Sequence, residues 1–334
     1  MAEKSALITG ITGQDGYYLA CHLLTLGYIV HGLARGVVGH RPRLTALNEA
    51  HKGRFTVHSG DVLDLANLIA LLSKIKVDEI YHLAAQSHVA LSFEQPLYTY
   101  NVNALGTIRM LEAIAALNLS KDVRFYNVTE TPQSEKTLFN PVSPYGASKV
   151  LAYWATRMQR EQHQMPGAHT DLKRRTDEAF VTRKITLGVA RIAQGVSEEI
   201  RLGHLDSERD WTHAKDMVRG IHLMMRQETP KDLVLASGQS RSGQGAEETG
   251  YDASDGAIRV RVDPRLFRPV EVHKLRGDAS CAAEILQWRP TISFEDLVRE
   301  MMGEDLKTLR REVVAASGRD GQVVAGGTRE ATSV

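Results

Sequence analysis

The chain opens on a short apolar run, Ser5 to Thr9, that enters a stretch punctuated by Gly10, Gly13 and Gly16; from Tyr17 to Leu26 the apolar positions take helical spacing. A second apolar run, Ile29 to Leu33, ends at Ala34 and Arg35, and a third, about Arg54 to His58, ends at Gly60 and Asp61. Helical spacing over Leu65 to Ser73 leads to a strand from Glu79 to Ala84 and a long helix from about Pro96 to Leu117. A strand from Val123 to Val128 and a helix from Pro144 to about Gln162 follow. Strands separated by helices predict an α/β fold built on a Rossmann-type, doubly wound parallel sheet.

Beyond that helix the pattern weakens. Met165 to Glu178 reads MPGAHTDLKRRTDE, too polar for a central parallel strand, which is expected as a near-continuous apolar run. Ser237 to Asp255 is rich in Gly, Ser and charge and is expected to be a flexible loop. The tail after about Ala316 offers little to bury and is expected to be disordered. No internal repeat is visible.

A length of 334 residues exceeds what one core usually organises, roughly 250 to 300 residues, so a smaller C-terminal lobe is expected beside the sheet. A net charge of +1 supplies no bulk field toward nucleic acid or an acidic membrane, so no nucleic-acid or membrane partner is expected and an anionic ligand must be held locally. Cys21 and Cys281 have neither zinc-site nor disulfide spacing, and no His, Cys or carboxylate cluster has metal-ligand spacing, so no metal is expected. Met1 to Lys4 lead straight into the first strand, and no apolar run approaches the roughly 20 residues of a membrane span. The expected location is the cytoplasm.

Two motifs carry chemistry. In Gly10-Ile11-Thr12-Gly13-Gln14-Asp15-Gly16 the glycines let backbone approach a pyrophosphate, while free N–H groups at the helix start face its charge. Arg35, just past the second strand, stands where an acidic residue suits NAD; a guanidinium there suits the 2′-phosphate of NADP, although it is also readable as a solvated surface charge. Asp61 and Val62 are placed to reach the adenine, the aspartate otherwise capping a helix. In Tyr145-Gly146-Ala147-Ser148-Lys149 the tyrosine and lysine share one helical face, and an ammonium beside a phenol favours phenolate, making Tyr145 a candidate base. His88 admits two readings, a cofactor-pocket residue or a satisfied structural histidine.

The blocks ALITGITGQDGYYLA, HLAAQSHVALSFEQP, SPYGASK with AYW, FVTRKI, LGHLDSERDW, and RPVEV with GDAS and LQWRP occur in the order found in GDP-mannose 4,6-dehydratases. The chain thus resembles that nucleotide-sugar branch of the extended short-chain dehydrogenase/reductase family, over roughly residues 4 to 126, 139 to 162, 178 to 238 and 262 to 302. The resemblance implies an NADP-binding Rossmann domain over 1–164 and, over 165–315, mainly a nucleotide-sugar lobe with some return segments, before the tail 316–334. It implies an NADP-dependent hydro-lyase converting GDP-mannose to GDP-4-keto-6-deoxymannose, with Thr129, Glu130, Tyr145 and Lys149 as its catalytic set. Cofactor contacts would come from Gly10, Thr12, Gly13, Gln14, Asp15, Gly16, Arg35, Asp61, Val62, Leu83, Gln86, Ser87, Tyr145 and Lys149. Lys184, Arg209, Arg268 and Glu271 fall in blocks matching the family's diphosphate and nucleotide contacts. A homo-oligomer, dimer or tetramer, is implied as well, with Arg35 to Arg43 reaching toward a neighbour.

Departures from the family pattern keep two alternatives open. Val128-Thr129-Glu130 runs directly into Thr131 and Pro132 where the family has a Thr-Ser-Glu triplet and an aromatic-glycine pair. The family's apolar strand after Gln162 is expected to be missing, and a helix of the lobe to be replaced by the Gly/Ser-rich loop. A catalytically impaired homologue that still binds NADP or a nucleotide sugar is one alternative; a related nucleotide-sugar epimerase or reductase is the other.

Overall fold

Ser5–Thr9 form β1, and every residue of it is buried, with Leu7 packing into the cluster on one face of a sheet and Ile8 into the cluster on the other. Burial on both faces explains the unbroken apolar run. The computed structural model describes residues 3–36, 41–128, 134–165, 167–171, 181–241, 249–267 and 274–323. After β1 come α1 (Gln14–Thr25), β2 (Ile29–Ala34), α2 (Pro42–Ala50), β3 (Phe55–Ser59), α3 (Leu65–Ile75) and β4 (Glu79–His82). Asp64 caps α3 by accepting from Asn67 N at 3.0 Å.

The long helix expected over Pro96 to Leu117 is interrupted. Short helices α4 (Val89–Glu94) and α5 (Pro96–Tyr100) lead into a π-helical turn, Asn101–Leu105, and only then into α6 (Gly106–Ala116). Single π turns widen the helix by one residue and are frequent at functional sites. The chain continues through β5 (Arg124–Val128), α7 (Pro144–His163), β6 (Gly167–Asp171) and α8 (Val181–Ala193). Then come β7 (Ile200–Leu202), β8 (Glu208–Asp210), α9 (Ala214–Met225), β9 (Asp232–Val234), β10 (Ser240–Arg241), β11 (Thr249–Tyr251), β12 (Ile258–Val262), β13 (Lys274–Leu275), α10 (Ser280–Leu286) and α11 (Phe294–Val323).

The main sheet has seven strands in the order β3-β2-β1-β4-β5-β6-β9, every neighbouring pair parallel. The central strand expected to be missing is therefore present: β6 pairs Phe125 with Gly167 through Val128 with Thr170 on one side, and His169 with Asp232 through Asp171 with Val234 on the other. A parallel ladder is made of backbone N–H and C=O groups, so its pairing does not require an apolar sequence. The stretch expected to be a flexible loop contributes β10 and β11, separated by residues 242–248 outside the described set. Helix α11 likewise runs to Val323, into the tail expected to be disordered from 316.

One face of the sheet is covered by α1, α9 and α10, whose Leu19, Leu23, Val218, Ile221 and Ala282 join Tyr81, Tyr126 and Trp288 in one cluster. Trp288, from the LQWRP block, is fully buried and donates from Nε1 to the carbonyl of Asp216 at 3.0 Å. The opposite face carries Leu68 and Leu72 of α3 and Met110, Leu111 and Ile114 of α6. Two three-stranded sheets, β10-β8-β13 and β11-β12-β7, form outside this layer. Among the described residues no helix is long and apolar enough to cross a membrane.

Candidate active site

After β1 the chain moves outward to β2 and β3, then crosses back to lay β4 on the other side of β1. The connections diverge there, leaving a crevice at the carboxyl ends of β1 and β4, the place where ligands sit in doubly wound sheets. Thr9 joins the two ends: its hydroxyl accepts from Ala84 N at 3.0 Å and lies 3.2 Å from Nδ1 of His82.

The glycines of the first turn meet hard steric limits. Gly10 has φ +70°, and a Cβ on it would lie 2.9 Å from Ala84 N. A Cβ on Gly16 would lie 2.8 Å from Ile11 Cα and closer still to the Gly10 carbonyl oxygen. Gly13 donates to that carbonyl at 2.9 Å and begins α1 with no side-chain cap, so the first-turn N–H groups are not spent on one. Thr12 is exposed, whereas Asp15 is buried in the first turn.

Gln86 and Ser87 follow β4. Gln86 is bound by the π turn: its N donates to Asn103 Oδ1 at 2.7 Å, and its carbonyl accepts from Asn103 Nδ2 at 2.9 Å. Its amide nitrogen also donates to Thr99 Oγ1 at 2.9 Å. His88 is the N-cap of α4, its Nδ1 accepting from Leu91 N at 3.1 Å, which fits the structural reading. Leu83 and Val62 are buried, and Asp61 accepts from Leu63 N at 3.1 Å in a local turn.

Ser143 and Pro144 start α7, the serine accepting from Gly146 N at 3.0 Å. One turn on, Tyr145 and Lys149 are both buried, with the ammonium nitrogen 5.9 Å from the centre of the phenol ring. Ser148 lies between them and is fully buried; its hydroxyl donates to the Tyr145 carbonyl at 2.6 Å and accepts from Asn103 Nδ2 at 3.0 Å. A buried chain thus runs from Gln86 through Asn103 to Ser148, tying the β4 loop to the Tyr-Lys helix. Asn103 escaped the sequence reading because a polar residue inside a helical run of apolar period carries no periodic signal.

Thr129, Glu130, Arg268 and Glu271 lie outside the described residues. Lys184 and Arg209 stand on separate elements, α8 and β8. Burial pushes the Lys184 ammonium down from its ordinary pKa, with Asp263 acting against that. Arg209 donates to the Glu208 carbonyl at 2.8 Å. Arg35 is exposed and donates from Nη1 to the hydroxyl of Tyr98 at 2.7 Å.

A dinucleotide fits this crevice. Gly10, Gly13 and Gly16 leave backbone free to approach a pyrophosphate at the turn, and Gln14 Oε1 and Ser87 Oγ are buried with no hydrogen-bond partner, polar atoms that a bound ligand would satisfy. A phenol and an ammonium one helical turn apart suit proton transfer beside such a cofactor. Fold and crevice together define the extended short-chain dehydrogenase/reductase class.

Residues 7–301 match the model of GDP-mannose 4,6 dehydratase, and the chain belongs to that family. The GDP-mannose 4,6-dehydratase of Sinorhizobium fredii is 45% identical, the alignment covering 92% of this chain and 98% of that protein. The corresponding enzyme of Drosophila melanogaster is 41% identical, covering 94% and 89%. Among solved structures, a UDP-glucose-4-epimerase from Stenotrophomonas maltophila with bound NAD and formylated UDP-arabinopyranose superposes with a TM-score of 0.76 at 19% identity, covering 92% of this chain and 100% of that one. That likeness is one of fold.

Proposed function

We propose that the protein is an NADP-dependent hydro-lyase acting on GDP-mannose, removing water to give GDP-4-keto-6-deoxymannose. The observation that carries the reading is the buried Tyr145–Lys149 pair, tied through Ser148 and Asn103 to the loop after β4, in a chain 45% identical to a GDP-mannose 4,6-dehydratase over nearly its whole length. Held in this crevice, NADP would supply reversible hydride storage, so the reaction would need no outside oxidant or reductant.

Tyr145 takes the proton of the sugar 4-hydroxyl as C4 becomes a ketone, and Lys149 favours the phenolate and holds the nicotinamide ribose. The ketone acidifies the C5 proton, which Glu130 removes, and the same carboxyl helps the C6 hydroxyl leave as water. The hydride taken from C4 ends on C6 while C5 regains a proton, balanced by the one Tyr145 had taken from the 4-hydroxyl, so the sugar loses one water and no net electrons and both side chains return to their starting states. Thr129 hydrogen-bonds near the 4-hydroxyl. Lys184, Arg209 and Arg268 hold the diphosphate and Glu271 the nucleotide, a clamp suited to a fixed, dense negative charge. Gly10, Thr12, Gly13, Gln14, Asp15 and Gly16 take the cofactor pyrophosphate; Arg35, Asp61, Val62, Leu83, Gln86 and Ser87 take the remainder.

The protein works as a homo-oligomer. Leu151, Trp154 and Met158 form an exposed apolar stripe along α7, and Leu97 and Leu105 are exposed on α5 and the π turn that pack against it. A second copy would cover this stripe.

Purified protein incubated with GDP-mannose and NADP, followed by mass spectrometry, tests the reading. Loss of one water from the sugar nucleotide, abolished by Tyr145→Phe, is expected. An isomer of unchanged mass would move the assignment to an epimerase, and no product from folded, NADP-bound protein would move it to an impaired homologue.

A further inference from the structure

Arg35 directly follows β2, and Gly36 beside it turns the chain with φ +71°. An exposed arginine at such a turn has many rotamers, and fixing one on an anion costs conformational entropy. Here the guanidinium is already held, by the 2.7 Å hydrogen bond from Nη1 to the Tyr98 hydroxyl. We propose that Tyr98 is a positioning residue that sets selectivity for a dinucleotide carrying a phosphate on its adenosine ribose, by pre-orienting Arg35.

Three features of Tyr98 suit that task. Its ring is half-buried against the core cluster of Leu33, Val62, Leu68 and Val102, so the hydroxyl is held on a rigid body. It is a neutral acceptor, which fixes the guanidinium while leaving its full positive charge; a carboxylate in that place would cancel it. The contact occupies one of the five N–H donors of the arginine and leaves the tyrosine's own proton to donate, so the pair presents further donors to a phosphate dianion. Helix α5, which carries Tyr98, also packs on α7, so the phosphate end of the cofactor is referenced to the helix bearing Tyr145 and Lys149.

The inference rests on the reading of Arg35 as the ribose-phosphate contact, and the test separates the two. Dissociation constants of NADP and NAD are measured by calorimetry on full-length protein stripped of nucleotide, for wild type, Tyr98→Phe, Arg35→Ala and the double variant. Tyr98→Phe keeps the buried ring and loses only the hydroxyl, so the fold is expected to persist, as thermal unfolding would verify. Its NADP affinity is expected to fall roughly tenfold, the scale of one lost hydrogen bond to a charged group, with NAD affinity unchanged. In the Arg35→Ala background the tyrosine substitution should add nothing. Equal losses for both cofactors, no loss for either, or additive losses in the double variant would overturn the role of Tyr98. A wild type or Arg35→Ala protein showing no preference change between NADP and NAD would instead remove the Arg35 reading, and this inference with it.

Discussion

Asn103 on the π turn donates a hydrogen bond of 3.0 Å to Ser148, the residue that stands between Tyr145 and Lys149 on α7. The same amide also pairs with both backbone groups of Gln86 in the loop after β4. One fully buried side chain therefore ties the loop after β4 to the helix that bears Tyr145 and Lys149.

Replacing it with an apolar residue of similar size leaves the Gln86 N–H and C=O buried without partners. Each such group costs about 1–3 kcal/mol, so Asn103→Leu is expected to destabilise the fold by about 2–6 kcal/mol. Conversion of GDP-mannose should slow further than the stability loss alone explains, because α7 loses its tie to the crevice. Denaturant unfolding and steady-state rates on the folded variant check both statements; unchanged stability would mean that the backbone groups find other partners.

How much of this could be read from residues alone varies by element. Leu7 and Ile8, buried on opposite faces of β1, made the parallel sheet visible through an unbroken apolar run. Tyr145 and Lys149 were placed together by helical spacing alone. The strand β6 was hidden because its pairing with β5 and β9 is a property of backbone, and GAHTD gives no apolar signature of it. The Arg35–Tyr98 bond was hidden because 63 residues separate its partners and no local pattern links them. Asn103 was hidden because a polar residue inside a helical run of apolar period carries no periodic signal, and its partners lie on a loop and another helix.

Gly16→Ala tests the turn by geometry. The added methyl would press on the backbone of Gly10 and Ile11, neither of which can swing away as a side chain would. The turn must open, and with it the approach of backbone to the pyrophosphate. Loss of NADP binding in calorimetry, together with a lowered melting temperature, is the expected outcome. A variant that binds NADP as wild type does would show that the pyrophosphate rests elsewhere.

His222 on α9 provides a pH prediction. Its Nε2 lies 3.3 Å from the Tyr28 hydroxyl, which itself donates to the buried Glu79, and its ring centre is 5.3 Å from that of His22. Burial first, then the charges of His22, Arg226 and Lys4, lower its pKa from the ordinary 6.5 to about 4. The unfolded chain takes up this proton as pH falls through about 6.5, while the folded chain resists until about 4, so stability present above the first value is lost toward the second. His222→Gln removes the group from both states. Its unfolding free energy should fall less steeply than wild type over that window, by an amount on the order of 1–2 kcal/mol once solvent screening is allowed for. Parallel pH profiles for the two proteins would exclude His222 as a source of acid sensitivity.

The apolar stripe on α7 makes the last prediction. Trp154 is 45% exposed and Met158 58% exposed, one turn apart, and Leu97 on the neighbouring helix is 84% exposed. Large apolar side chains gathered on adjoining helices mark an interaction surface more often than solvated skin. The guanidinium of Arg157 lies 5.4 Å from the Trp154 ring, a polar neighbour of the kind that rims an interface. Because the stripe is not needed to fill the core, Trp154→Glu should leave the circular dichroism spectrum unchanged while placing a charge where two copies would meet. Sedimentation velocity should then show a monomer in place of a dimer or larger assembly. A wild type that already sediments as a monomer would remove the homo-oligomer, whereas a variant that stays assembled would move the contact to another face.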